Sequence, residues 1–152
     1  MPTHYPEQVL AHQLQHMFGE LDAEALQLLQ QHLAWVELAA GDTLMYQGEH
    51  GDAMYLSISG RLRASVLGED GVERMVREMG RGEVIGEMSL YTDEPRTATV
   101  VAIRNSVLVR LAKSEFTSLL ASSAQMSIAL TRQMIKRLTS TSPRTAVPPP
   151  VA

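Results

Sequence analysis

The middle of this chain, from Ala34 to Leu111, is a series of short apolar or alternating segments separated by turn-forming residues. The segment from Arg61 to Val66 alternates polar with apolar residues, which is typical of a strand with one buried and one solvated face. Eight segments have strand character: 35–38, 43–46, 54–58, 61–67, 73–79, 84–85, 99–103 and 107–111. Turn signals such as Ser59-Gly60 and Asn105-Ser106 lie between them. The pattern predicts an α+β fold built around an eight-stranded antiparallel jelly-roll β-barrel.

Helical patterns flank the predicted strands on both sides. In the first part of the chain, apolar residues recur at helical spacing, and Asp22 is suited to cap a second helix. In the last part, Met126, Leu130, Met134 and Leu138 fall at four-residue intervals that mark one face of a helix. We therefore expect helices at both ends of the β-domain.

These patterns divide the chain into three parts. Residues 1–33 are predicted to form the N-terminal helices, and residues 34–142 the jelly roll with its closing helices. Residues 143–152 contain four prolines and few core-forming residues, which is typical of a linker or an extended tail.

The composition excludes several kinds of chemistry. There is no cysteine, which removes disulfides, thiolate zinc sites, iron–sulfur clusters and cysteine nucleophiles. The formal charge of −4, without a basic run, gives no reason to expect nucleic-acid or membrane binding through this chain. No segment has the ~20 apolar residues of a membrane helix, and the N-terminus lacks signal-peptide features. We expect a cytoplasmic protein that uses no metal.

The segment between residues 84 and 100 is the part of the chain best suited to bind a small anionic ligand. Gly86 permits close approach of the backbone, and a helical turn beginning near Glu87 directs free N–H groups at a negative charge. Arg96 offers a planar set of donors that suits a phosphate. Glu87 only accepts hydrogen bonds when ionised, so its natural partner beside a phosphate is a sugar hydroxyl. The residue types thus predict a site for a phosphorylated sugar compound.

This segment resembles the phosphate-binding cassette of the cyclic-nucleotide-binding domain family. The family pattern is Gly-Glu, two residues and Leu, followed by Arg, a small or hydroxyl residue, Ala and Thr. Here it reads Gly86-Glu87-Met88-Ser89-Leu90 and Arg96-Thr97-Ala98-Thr99. The resemblance implies that Arg96 pairs with the cyclic phosphate and that Glu87 takes the ribose 2′-hydroxyl. It implies a pocket completed by Gly86, Met88, Ser89, Thr97 and Ala98.

The resemblance extends to the predicted last helix. Residues 133–142 are similar to the helix that closes over the purine in the catabolite activator class of this family. On that match Arg137, Thr141 and Ser142 are candidates for contacts near the ligand or its base. The implied ligand is cyclic AMP or cyclic GMP, and we expect cyclic AMP.

A regulatory domain without its own chemistry is the function that these observations favour. The sequence has no Gly-x-Ser-x-Gly elbow, His-Glu-x-x-His motif or P-loop, so we expect no enzyme activity. Cyclic nucleotide would shift the closing helices between two arrangements, and an attached or associated effector would respond. The apolar stripe from Met126 to Leu138 is also compatible with a homodimer through the C-terminal helix.

Two alternatives remain open. One is a nucleotide-free protein-interaction module that keeps the jelly roll, although the presence of both Glu87 and Arg96 argues against it. The other is the regulatory part of a larger enzyme, because the chain looks similar to regulatory domains that precede patatin-like phospholipases. A transcription factor would need a helix-turn-helix after the closing helix, where this chain has its proline-rich tail.

Overall fold

The computed structural model of this protein describes residues 7–18, 21–129, 131–132 and 135–136. Within this part of the chain, contacts define two compact units. One unit runs from Gln31 to Ser118, and the other contains the described residues on either side of that range. The proline-rich segment 143–152 lies outside the described residues.

The smaller unit contains the N-terminal helices α1 (Glu7–Phe18) and α2 (Ala23–Gln31). Asp22 caps α2 as predicted, because its Oδ1 accepts a hydrogen bond from the backbone N of Ala25 at 2.8 Å. The side-chain amide of Gln15 joins the connector to α1, bonding to both the N–H and the C=O of Leu21 at 3.1 Å. The buried apolar residues of this smaller unit include Leu10, Leu14, Leu21, Ala25, Leu29 and Met126.

The larger unit contains an antiparallel sheet of six described strands. They are β1 (Leu33–Leu38), β2 (Thr43–Met45), β3 (Ala53–Leu67), β4 (Glu73–Met79), β5 (Val84–Ile85) and β6 (Thr99–Ala112). The hydrogen-bonded order is β1-β6-β3-β4, with β2 also paired to β6 and β5 to β3. A short 3₁₀ helix (Glu87–Leu90) follows β5, and α3 (Lys113–Ser122) follows β6. This antiparallel sheet with flanking helices confirms the predicted fold class.

The strand count differs from the prediction, because the part of the chain described has six strands where sequence predicts eight. Two predicted turns, Ser59-Gly60 and Asn105-Ser106, lie inside the long strands β3 and β6. There the pairing of β3 with β6 shifts register, which is the mark of a bulge. Gly60 has a positive φ of 105°, and a Cβ at this position would collide with Ser106 on the neighbouring strand. The two predicted turns are therefore the two strands' parts of one bulged region in the pairing of β3 with β6. Two predicted strands merge into β3 and two into β6, so all eight predicted segments are found in the six strands.

The hydrophobic core of the larger unit is formed by buried residues of its strands, and several of them also line the cavity of the candidate site. Its buried cluster consists of Met45, Ala53, Tyr55, Leu62, Ala64, Met79, Ile85, Val100, Ala102 and Leu108. Burying a Leu or Met side chain contributes roughly 1.5–3 kcal/mol, so this cluster provides much of the stability of the sheet. Five of its members, Met45, Ala64, Met79, Ile85 and Val100, also line a cavity.

Candidate functional site

The segment after β5 turns sharply into the 3₁₀ helix at Gly86. This glycine has a φ of 73°, a left-handed conformation that other residues rarely adopt. Its carbonyl accepts a hydrogen bond from the backbone N of Ser89 at 3.2 Å. A Cβ at Gly86 would collide with Nη1 of Arg96. The residue must therefore be glycine both for the turn and for the approach of the arginine.

Arg96 is the charged group at the centre of the site. Only 7% of the residue is exposed. Its Nη1 donates to Ser89 Oγ at 2.8 Å and to the Gly86 carbonyl at 3.3 Å, while Nη2 donates to the Ala53 carbonyl at 2.7 Å. Its Nε is buried without a hydrogen-bond partner. Among the residues described, no carboxylate lies within ion-pair distance of this guanidinium.

The backbone of Arg96 is anchored to the turn that precedes β3. The Arg96 N–H donates to the Glu49 carbonyl, and the Arg96 carbonyl accepts from the Gly48 N–H, both at 2.8 Å. Gly51 in the same turn leaves room for the site, because a Cβ there would collide with Ser89 Oγ. Arg96 is thus held at both ends: its backbone bonds to residues 48–49, and its guanidinium bonds to Ala53 and to residues 86–89.

A cavity of about 460 Å³ lies beside Arg96, a volume typical of small-molecule sites. Seven of the ten predicted site residues line it: Gly86, Glu87, Met88, Ser89, Arg96, Thr97 and Ala98. Glu87 is partly buried, whereas Met88 is 54% exposed. The other three, Arg137, Thr141 and Ser142, lie outside the described residues.

Another part of the cavity lining comes from β4, which sequence alone does not assign to the site. Val76 and Arg77 both line the cavity although they are consecutive, and consecutive side chains of a regular strand point to opposite faces. The register explains this: Ala64 pairs with Arg77 and Ser65 with Met75, so Val76 is an unpaired bulge residue.

The Arg77 side chain is oriented by Glu83. Its Nη2 lies 3.1 Å from Glu83 Oε1, and Glu83 Oε2 accepts from the Gly80 N–H at 2.8 Å. The cavity therefore has a buried guanidinium, Arg96, on its cassette side and a half-exposed one, Arg77, on its β4 side.

The far end of the cassette is fastened to the start of α3. Lys113 Nζ donates to the Thr92 carbonyl at 3.1 Å and to Asp93 Oδ1 at 2.8 Å. This hydrogen bond from Lys113 holds the pKa of Asp93 below its ordinary value. The rings of Tyr91 and Phe116 meet edge to face, with centroids 5.5 Å apart. Displacement of the cassette would therefore act directly on the first turn of α3.

The arrangement is suited to binding rather than to catalysis. It offers donors to an anion and one partly buried carboxylate, Glu87, to a polar group of the same ligand. In the described ranges, no three His, Cys, Asp or Glu side chains are grouped as a metal site requires. The described helices include none with the length and apolar content to span a membrane.

Comparison with known proteins agrees with this geometry. The family model described as "Cyclic nucleotide-binding domain" matches residues 35–123. A similar curated protein is lysophospholipase nte1 of Aspergillus oryzae, 37% identical over 106 residues. That match covers 70% of this chain but only 7% of the relative, so the chain corresponds to a small part of the larger protein.

Solved structures share the fold. The N-terminal domain of a transcriptional regulator from Streptomyces coelicolor has a TM-score of 0.75 and 34% identity, covering 84% of this chain and 89% of that one. The regulatory domain of Toxoplasma gondii PKA, crystallised with cAMP, has a TM-score of 0.68 and 28% identity, covering 77% and 46%. These likenesses agree with the jelly-roll prediction.

Proposed function

We propose that this chain, which belongs to the cyclic nucleotide-binding domain family, is a regulatory domain. In this proposal it binds a purine 3′,5′-cyclic monophosphate beside Arg96. The ligand would bias the helices that follow the sheet, and an effector would respond to that bias. The domain itself would carry out no reaction.

The observation that carries this proposal is the uncompensated burial of Arg96. A buried charge without an opposite charge is costly, and the three neutral acceptors around Arg96 leave its Nε without a hydrogen bond. An anion in the adjoining cavity would supply the missing charge. A nucleotide-free interaction module gains nothing from such a group, which argues against that alternative.

The proposed roles of the cassette follow from its chemistry. Arg96 pairs with the cyclic phosphate, and Glu87 accepts from the ribose 2′-hydroxyl. The lining residues Gly86, Met88, Ser89, Thr97 and Ala98 shape the pocket around them. Contacts from Arg137, Thr141 and Ser142 remain part of the proposal as predictions from sequence.

Arg77 gives a physical reason to distinguish the two bases. Guanine presents the acceptors O6 and N7, which match the paired donors of a guanidinium, whereas adenine presents a donor at N6. Arg77 lines the cavity and is oriented by Glu83. Sequence alone favours cyclic AMP, and the cAMP-bound Toxoplasma gondii structure supports it. The Arg77 guanidinium favours cyclic GMP, which we propose as the preferred ligand, with cyclic AMP as the second candidate.

The proposed route from ligand to effector runs through the start of α3. Lys113 and Phe116 contact the end of the cassette, so a ligand that repositions the cassette alters the environment of α3. The helical residues beyond α3 would transmit the change, and a homodimer through the C-terminal helix is one arrangement in which they would do so. We propose that this takes place in the cytoplasm and without a metal ion.

The effector is proposed from the relatives. Because a curated relative is a lysophospholipase far longer than this chain, the favoured effector is a covalently linked or associated phospholipid-hydrolysing enzyme. The second candidate is a DNA-binding module, because a similar solved domain comes from a transcriptional regulator.

The proposal is tested by calorimetric titration of nucleotide-free protein with cyclic GMP, cyclic AMP and 5′-AMP. Micromolar binding of a cyclic nucleotide, about −8 kcal/mol, is expected, with at least about tenfold weaker binding of 5′-AMP. Arg96→Ala should abolish the heat, and Arg81→Ala, which removes an exposed arginine outside the cavity, should not. A folded, nucleotide-free protein that binds neither cyclic nucleotide would rule out the sensing role.

A further inference from the structure

A second group of arginines lies on the face of the sheet opposite the cavity. Along β3, Leu62 and Ala64 are buried, so Arg61 and Arg63 lie on the outer face. Arg61 lies opposite Arg104 of β6, at a position where the register shifts on either side, and Arg63 pairs with Glu78 of β4. We call Arg61, Arg63, Arg104 and Glu78 the outer arginine face.

Three guanidiniums on this face lie near one carboxylate, that of Glu78, and only Arg61 bonds to it. Arg61 Nε donates to Glu78 Oε1 at 2.8 Å. That hydrogen bond, with smaller contributions from the charges of Arg61, Arg63 and Arg104, holds the pKa of Glu78 below its ordinary value. Within the described part of the chain, neither Arg63 nor Arg104 lies within ion-pair distance of a carboxylate. The face therefore has a surplus of two positive charges, in a protein whose formal charge is −4.

The arrangement of these charges is unfavourable for the isolated sheet. Like charges directly opposite each other on neighbouring antiparallel strands destabilise the pairing, and Arg61 and Arg104 occupy such positions. A ligand with several carboxylates would relieve this repulsion, since guanidiniums bind carboxylates through paired hydrogen bonds. The face thus has the charge and the donor geometry of a docking surface for an acidic partner.

We propose that the outer arginine face binds an acidic peptide segment, one that presents clustered Asp or Glu side chains in an extended conformation. An extended segment suits the surface because the arginines are spread over two strands, β3 and β6, rather than gathered in a pocket.

This surface is independent of the nucleotide site but adjoins it through β4. Glu78 is on the outer face, and its neighbour Arg77 lines the cavity. A segment that displaces Arg61 from Glu78 would therefore act one residue away from the cavity wall.

The test is fluorescence anisotropy with a labelled hexaglutamate peptide at low ionic strength. We expect binding that Arg63→Gln/Arg104→Gln weakens by about fivefold or more, and that added salt also weakens. Arg81→Gln/Arg110→Gln removes the same charge elsewhere and should change the affinity less than about twofold. Nucleotide titrations should be unchanged in the face variant, which separates this inference from the proposed function.

Three results would overturn the proposal. The first is no peptide binding up to about 1 mM, a free energy of only about −4 kcal/mol. The second is an equal loss in both double variants, which would mean non-specific attraction to any arginine. The third is that vesicles containing phosphatidylserine bind through this face whereas hexaglutamate does not, which would assign the surface to a membrane.

Discussion

The cavity side and the outer side of the sheet both present arginines, but in opposite environments. Arg96 is almost fully buried and is bonded to three neutral oxygen acceptors. Arg63 and Arg104 are exposed. Burial makes an unpaired charge costly, whereas solvation and salt reduce its influence at the surface. We therefore expect Arg96 to bind a ligand anion strongly, and Arg63 and Arg104 to contribute only weakly to the docking of an acidic partner.

The largest expected effect is on nucleotide affinity. Arg96→Ala should weaken cyclic nucleotide binding at least about 100-fold, because charge-assisted hydrogen bonds contribute roughly 1.5–3 kcal/mol each. Arg104→Ala should leave it within about twofold, because Arg104 does not line the cavity. Calorimetry on both variants checks the contrast. Equal losses would mean that burial does not distinguish the two sites.

The next largest effect is expected at Gly86, which lies against the buried Arg96 side chain. Gly86→Ala should destabilise the fold by about 1–2 kcal/mol through its left-handed φ, and should also weaken nucleotide binding, because the new Cβ displaces Arg96. Gly41→Ala is the matched control: Gly41 also has a positive φ, of 95°, but a Cβ there meets nothing within 4 Å. Urea denaturation and calorimetry separate the two effects. If Gly41→Ala weakens binding equally, displacement of Arg96 is not the cause.

Arg77, half-exposed at the cavity edge, should have an intermediate effect. Arg77→Leu should lower the preference for cyclic GMP over cyclic AMP by about tenfold, the discrimination of one guanidinium–guanine contact. Competition titrations with both nucleotides measure the ratio. An unchanged ratio would show that Arg77 does not contact the base, even if both affinities fall.

On the outer side of the sheet, the stability of the fold should depend on pH through Glu78. The pKa of Glu78 is lowered in the folded protein, chiefly by its hydrogen bond with Arg61, so this carboxylate contributes stability above its unfolded pKa. That contribution is lost as the pH falls through the folded value. Glu78→Gln should therefore reduce stability at neutral pH, and this difference should disappear as the pH falls through the folded pKa of Glu78. A constant difference, measured by denaturation across this range, would contradict the assignment.

The smallest expected effect is a gain in stability. Arg104→Gln should stabilise the fold by roughly 0.2–1 kcal/mol, because it removes the like-charge pair with Arg61. Thermal denaturation at low and high salt measures it, and the gain should shrink with salt. A loss of stability would show that Arg104 has a structural role.

Sequence is sufficient for one wall of the site and insufficient for the other. Gly86, Glu87 and Arg96 are close in sequence, so the resemblance of this one segment to the family pattern is enough to predict the cassette. Arg77 has no such signal, because it lies on a different strand, β4, and one arginine in a strand does not by itself predict a ligand contact. The bulge that also brings Val76 to the cavity depends on pairing with β3, which is a long-range property.

The same limit explains the strand count. A glycine with positive φ serves a turn or a bulge equally well, so Gly60 alone does not separate the two. What decides is the contact of Gly60 with Ser106, a residue far along the chain. The roles of Arg137, Thr141 and Ser142 stay predictions, since they lie outside the described residues.

The bulge at Val76 has a consequence beyond the lining of the cavity. Among the described strands β4 pairs only with β3, so its other edge presents backbone donors and acceptors that another chain could use. Exposed Met75 and Val76 would add apolar contact to such a pairing. An unpaired residue breaks the regular spacing that edge-to-edge association requires. Deleting Val76 would therefore straighten this edge, and its first visible result would be aggregation rather than a change in ligand preference.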